Sequence, residues 1–249
     1  ILYNDTRLSA NNTISCASCH DLSKGGTDNK PFSEGINGQF GGINAPTVFN
    51  AVFNFVQFWD GRAIDLAAQA AGPPTNPVEM GHKNWSDIET ILAADKAFTQ
   101  KFTNVYPDGV TEANICNAIA EYEKTLITPN SAFDRYLKGD KDAITADQIT
   151  GYELFKQYSC ATCHAGINLG GLSYEYMGLR KNYFKARGTE LTEEDYGRGK
   201  QEEDLLHQST LLLWKEKASS KTLFCPMVNK KKTFSSTTAS KLLDFAMLP

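Results

Sequence analysis

Cys16-Ala17-Ser18-Cys19-His20 and, 144 positions further on, Cys160-Ala161-Thr162-Cys163-His164 are two copies of one pattern, Cys-x-x-Cys-His. Two thiols three positions apart can add across the vinyl groups of a haem, and the imidazole in the next position can reach the iron. Cys-x-x-Cys pairs also bind zinc or cycle between dithiol and disulfide. Zinc sites usually place two such turns close together, and redox motifs rarely need the adjoining His. The complete repeat therefore reads as covalent attachment of two haem c groups. Four of the six cysteines are used in this way, so the chain need not be a disulfide scaffold. Of the other two, Cys116 falls on an expected helix and reads as a small buried apolar residue. Cys225, before Pro226, supports no inference.

The 249 residues suit one large or two modest domains, and two haems add core material to each. A hydrophobic fraction of 41% is slightly low for this length, and porphyrin faces can make up the deficit. The net charge of -4 argues against a nucleic-acid partner and suits a basic redox partner. No apolar run approaches the length of a membrane span. The sequence begins at Ile1 with no initiating Met or signal peptide, which reads as a mature or trimmed product. Haem attachment of this kind is carried out outside the bacterial cytoplasm, so the periplasm is the expected location.

The remaining patterns predict a mainly α chain with long irregular loops, arranged as two cytochrome c-like haem domains over 1–130 and 131–249. A Gly-, Asn- and Asp-rich stretch from Ser23 to Asn44 is too long for a plain connector and reads as backbone folded over a cofactor. Phe49, Val52, Phe53, Val56 and Trp59 recur at helical spacing and predict a helix that stops at Asp60-Gly61. Ser86 and Glu89 have the spacing of a capping box, followed on one period by Ile88, Ile91, Leu92, Phe98 and Phe102. Ile115, Ile119, Tyr122 and Leu126 mark another helix. The stretch from Thr128 to Asp140 looks like the passage between domains. Thr145 and Gln148 then open a helix that leads to Cys160.

The runs Asn44-Ala45-Pro46-Thr47-Val48-Phe49-Asn50, Gln57-Phe58-Trp59-Asp60-Gly61-Arg62-Ala63, Pro77-Val78-Glu79-Met80, Ser131-Ala132-Phe133-Asp134-Arg135-Tyr136-Leu137 and His164-Ala165-Gly166-Ile167-Asn168-Leu169 resemble the bacterial dihaem cytochrome c peroxidases. The resemblance extends from about Leu2 to about Arg198. It implies a periplasmic enzyme that reduces hydrogen peroxide to water with electrons from a small cytochrome c or cupredoxin. It also implies one haem per domain, a calcium ion between the domains, and the homodimer that is usual in that family.

The resemblance also assigns residues. His20 and His164 would be the proximal ligands of the two irons. Glu79 would be the acid-base group, and Gln69 would hydrogen-bond the peroxide. Trp59 would lie between the haems, Asn44 would offer an oxygen to calcium, and Arg62 would face a propionate. Pattern alone reads Glu79 as a carboxylate near a helix start, Gln69 as an exposed helical amide, Trp59 as core, Asn44 as a turn residue and Arg62 as solvated.

Two departures stand out. Sixteen residues after His20, where many relatives carry an imidazole that closes the first iron, this chain has Ile36, which cannot ligate. The first iron is therefore expected to be open without prior reduction. His82 is the substitute imidazole nearby, and it reads as a surface or supporting residue. From about Gly199 the family pattern stops, as in a divergent or frame-shifted tail. Met227, Met247 and His207 are then the candidates for the sixth ligand of the second iron. Two other functions compete. One is a MauG-like dihaem oxidase acting on a protein substrate, which Ile36 favours and which the absence of any Tyr after Arg198 disfavours. The other is a dihaem electron carrier, which would need neither Glu79 nor an open iron.

Overall fold

In the computed structural model the described residues are 1–174, 181–188 and 190–201. Among them the helices are α1 (Cys16–Cys19), α2 (Leu66–Ala70), α3 (Trp85–Ala93), α4 (Lys96–Thr103), α5 (Glu112–Glu123), α6 (Ala132–Leu137), α7 (Ala146–Gln157), α8 (Tyr183–Arg187) and α9 (Arg198–Gln201). Strand structure among the described residues is limited to two isolated antiparallel bridges, Glu34 with Phe40 and Gln57 with Ala63. The chain is mainly α, joined by long loops, as its patterns predict. The described residues fall into two compact units, one of 1–127 with those from 183 onward and one of 128–174 with 181–182.

The core of the first unit is built on α3, α4 and α5, where Leu8, Ile88, Leu92 and Ile115 are fully buried. Asn84, not Ser86, opens α3, because its side chain accepts the Asp87 N–H, so a simple cap two residues earlier takes the place of the expected capping box. The periodic run from Ile88 to Phe102 is also two helices and not one. It breaks at Ala94, and Asp95 starts the second by accepting from the N–H groups of Ala97 and Phe98. The Arg7 guanidinium holds Asp5 at 2.6 Å and this same Asp95 at 2.9 Å, which fastens the N-terminal segment to the start of α4. Thr111 caps α5, whose buried stripe carries Ile115, Cys116, Ile119, Ala120 and Glu123. Cys116 is thus the buried apolar residue that its position suggested.

The apolar run from Phe49 to Trp59 does not form the predicted helix. Only a single turn, Ala51–Phe53, is helical. Asn50 and Phe58 both take left-handed backbone angles (φ 59° and 65°), the Asn50 N–H is spent on the Leu126 carbonyl, and Gln57 is drawn into its bridge with Ala63. These tertiary links leave no continuous right-handed stretch for a helix to use.

In the second unit α6 and α7 both start with capping boxes, Ser131 with Asp134 and Thr145 with Gln148, the latter as its sequence spacing predicts. The expected passage from Thr128 to Asp140 thus contains a helix. Phe133 meets Tyr152 edge-on at 5.1 Å and joins α6 to α7. Ser159 turns left-handed after α7, and Cys160–Thr162 forms a tight turn, so the second motif follows a helix end. Ile144 is the buried hydrophobic residue among the described residues of this unit.

Candidate haem and acid-base site

Two serines shape the first motif: the Ser15 N–H donates to Ser18 Oγ at 3.0 Å, and α1 is the short turn that results. The His20 N–H closes this turn on the Cys16 carbonyl at 2.9 Å. Tyr3, 2% exposed, donates its hydroxyl to the His20 carbonyl. Cys16 packs with Tyr3, Val48 and Leu126, and burial pushes its thiol up to about 12. Burial also raises the Cys19 thiol and lowers His20, so the imidazole is held neutral, the form that binds a metal.

The orientation of His20 follows from one hydrogen bond. Its Nδ1 lies 3.0 Å from the Pro46 carbonyl oxygen, and a carbonyl only accepts. Nδ1 therefore carries the proton and Nε2 keeps its lone pair for iron. The second motif repeats the arrangement. The His164 N–H closes on the Cys160 carbonyl at 2.9 Å, and His164 Nδ1 lies 3.0 Å from the Leu169 carbonyl oxygen. All four motif cysteines are free thiols. Phe32, Phe40 and Ile43 on the Gly-rich loop, and Ile167 and Leu172 after the second motif, are exposed apolar chains of the kind that a porphyrin covers. Free paired thiols, a preset Nε2 and uncovered apolar surface fit haem c at both places.

Glu79 sits in a tight turn. The N–H groups of Glu79, Met80 and Gly81 all donate to the Asn76 carbonyl, at 3.2, 3.2 and 2.8 Å. Its Oε1 accepts from Asn76 Nδ2 at 2.8 Å. Burial raises its pKa, while the charge of Arg62 pulls it down, and Glu79 in turn raises both Cys16 and Cys19. The carboxylate therefore stands within electrostatic reach of the haem-attachment turn. Met80 is buried at 3% and belongs to the core.

The Gly-rich loop is strapped onto this turn. The Ile36 N–H donates to the Glu79 carbonyl at 2.9 Å, and Gln39 Nε2 donates to the Pro77 carbonyl at 3.0 Å. A Cβ on Gly35 would overlap the Val78 carbonyl oxygen and lie 2.9 Å from that of Glu79, so only glycine allows this approach. Ile36 is buried at 4% and packs over Gly81, whose φ of +75° also calls for glycine.

Of the two expectations for His82, a surface or a supporting residue, the structure excludes the first. It is 6% exposed, and its Nε2 lies 3.1 Å from the Arg7 carbonyl oxygen, to which it must donate. That nitrogen is thereby unavailable to a metal. Gln69 is half-buried on α2, and among the described residues no hydrogen bond joins it to Glu79. Trp59 is 55% exposed and so is not core, and its Nε1–H donates to the Asn44 carbonyl at 2.9 Å. Asn44 Nδ2 donates to the Lys30 carbonyl at 2.7 Å. Arg62 pairs with Asp60 at 3.0 Å and lies 3.4 Å over the Phe58 ring. His207, Cys225, Met227 and Met247 lie outside the described residues.

Three residues that matter here were not anticipated: Tyr3, Asn76 and Glu123. An Asn before Pro is a turn-initiating signal that could have pointed to Asn76. Glu123 falls four residues after Ile119 and eight after Ile115, an acid on an otherwise apolar stripe. Tyr3 carried no such signal.

The helical units with one Cys-x-x-Cys-His turn each define a c-type cytochrome with two haem sites. The sequence pattern described as di-haem cytochrome c peroxidase matches residues 1–142, and the chain belongs to that family. It is 54% identical over 210 residues to the cytochrome c peroxidase Ccp of Escherichia coli (strain K12), covering 83% of this chain and 44% of that one. It is 49% identical over 184 residues to the cytochrome c551 peroxidase of Nitrosomonas europaea, covering 74% of this chain and 55% of that one. The chain thus spans about half the length of these curated relatives. In fold it is similar to the crystal structure of a MauG-like protein associated with microbial copper homeostasis, with a TM-score of 0.73 and 21% identity, over 98% of this chain and 86% of that one.

Proposed function

We propose that this chain is the haem-bearing part of a periplasmic peroxidase that reduces hydrogen peroxide to water, with one haem c in each of two domains divided near residue 130. The observation that carries this reading is Glu79, a carboxylate with a raised pKa that stands within electrostatic reach of the first haem-attachment turn. Bound haem supplies an iron that takes up electrons and draws the peroxide oxygens into reaction. Cys16 and Cys19 would hold the first haem and Cys160 and Cys163 the second, with His20 Nε2 and His164 Nε2 on the irons.

Peroxide cleavage needs one proton removed from the near oxygen and returned to the far one. Glu79 Oε1 is occupied by the Asn76 amide, which leaves Oε2 to take and return that proton. Two further protons and two electrons complete the conversion of one peroxide to two waters. Gln69 would orient the peroxide. Trp59 would lie on the electron path between the haems, and His164 would serve the haem that receives electrons from a small cytochrome c or cupredoxin. Calcium at Asn44, a homodimer and a sixth ligand from Met227 complete the proposal. Among the described residues no helix is long and apolar enough to cross a membrane.

Steady-state turnover of peroxide with a reduced small cytochrome tests this, together with electron paramagnetic resonance of the oxidised protein. The expected result is saturable turnover and high-spin iron at the first haem. Purely low-spin, six-coordinate iron at both haems would overturn it. The buried Ile36 also favours a second reading, a MauG-like oxidase acting on a protein substrate, which peroxide-dependent oxidation of a partner protein without a cytochrome donor would support.

A further inference from the structure

We propose that Asn76 is the positioning residue of Glu79: its side chain fixes both the turn that presents the carboxylate and the carboxylate itself. This rests on the acid-base role proposed for Glu79. Asn76 Oδ1 accepts the Val78 N–H at 2.9 Å, and because a backbone N–H only donates, the amide nitrogen must face the other way. It does so toward Glu79, donating from Nδ2 to Oε1 at 2.8 Å. The Asn76 carbonyl meanwhile gathers three successive N–H groups, those of Glu79, Met80 and Gly81.

Pro77 adds to this arrangement, since the residue before a proline is steered to extended backbone, and Asn76 sits there at φ -71° and ψ 121°. The turn is braced from outside as well. The Ala10 N–H donates to the Met80 carbonyl at 2.8 Å, and the His82 N–H donates to the Pro74 carbonyl at 3.0 Å. With the backbone held on every side, the remaining freedom of Glu79 is in its side-chain torsions, and the Asn76 amide restrains those.

The same bond sets how strongly the carboxylate holds a proton. An amide donor favours the ionised form, as does Arg62, which is itself paired with Asp60, and burial opposes both. The other titratable groups within electrostatic reach of Glu79 are the Cys16 and Cys19 thiols, which cease to titrate once they are thioethers. Asn76 therefore joins burial and Arg62 in setting the lower pH limit at which Glu79 is a competent base, without touching the peroxide.

The test uses the haem-loaded protein. Asn76→Ser keeps an oxygen for the Val78 N–H but removes the amide donor to Glu79 without adding a charge, and Asn76→Ala removes both. Titration of the Glu79 carboxyl by infrared difference spectroscopy, with Glu79→Gln as the blank, should place the midpoint about one pH unit higher in both variants, the tenfold change of one lost charge-assisted hydrogen bond. The acid limb of kcat/KM should move by the same amount, with haem content unchanged. Unshifted midpoints in the variants would overturn the proposal, and if Asn76→Ala does not fold, Asn76→Ser decides alone. A shifted midpoint in a protein that turns over no peroxide would instead overturn the peroxidase reading and leave the Asn76 assignment standing.

Discussion

The backbone N–H of Ile36 donates to the carbonyl of Glu79 at 2.9 Å, so the side chain at the position expected to carry an iron-closing imidazole belongs to a segment that supports the proposed acid-base residue. One stretch of loop is thus coupled to the proposed chemistry through its main chain. Its side chain points into the core.

Gly35→Ala should damage the site without touching any proposed catalytic group. The new methyl would press on the Val78 and Glu79 carbonyls and push the turn aside. A cost of about 1–3 kcal/mol is expected from such overpacking, read as a lowered denaturation midpoint. Peroxide turnover should fall with haem content intact, and wild-type turnover in this variant would show the strap to be irrelevant.

Glu79→Gln removes the proton acceptor while keeping the shape of the side chain. The rate should drop by about 10²–10⁴-fold, the usual contribution of a general acid-base group. Covalently bound haem, measured by its pyridine haemochrome, should be unchanged. A variant that kept its rate would remove Glu79 from the proton transfer.

Arg62→Gln acts on the same carboxylate from a distance. Glu79 must be ionised to accept a proton, so activity is lost as pH falls through its raised pKa. Arg62 holds that pKa down, and its removal should move the acid limb of kcat/KM to higher pH. A profile that stays in place would mean that the Arg62 charge is fully screened.

Glu123 predicts a pH dependence of stability. Burial among apolar neighbours raises its carboxyl to about 7. Between the ordinary value of 4.5 and about 7 the folded protein keeps a proton that the unfolded chain gives up. Stability from this group therefore falls as pH rises through that window, by about 3 kcal/mol at most, and is level above it. Urea midpoints of wild type and Glu123→Gln, compared across the window, should show a flatter dependence in the variant.

Tyr3→Phe keeps the ring and deletes the hydroxyl that donates to the His20 carbonyl. The loss should be about 1 kcal/mol, seen in denaturant unfolding, because a half-buried acceptor is left without its partner. An unchanged midpoint would mean that water replaces the hydroxyl.

Local signals were legible where the cause is local. The thiol and imidazole spacing, the Thr145–Gln148 box and the Ile115–Ile119 part of the buried face of α5 are written in neighbouring residues, and the structure keeps them, whereas Tyr122 is exposed and Leu126 lies beyond the helix. The aromatic run from Phe49 to Trp59 was misread because its fate is decided by the Leu126 carbonyl and by Ala63. Ser86 lost to Asn84 for a similar reason, since both have capping chemistry and only the entry of the chain selects between them. Glu79 was legible by resemblance alone. Its amide partner Asn76 required the turn to be seen.

His20 and His164 are oriented by the same kind of bond, Nδ1–H to a main-chain carbonyl at 3.0 Å. Each would then present the same nitrogen to its metal, with the same tautomer. A division of labour between the two centres would then originate outside this shared bond. Evolution of one centre toward catalysis and the other toward storage could proceed there without disturbing the shared anchor.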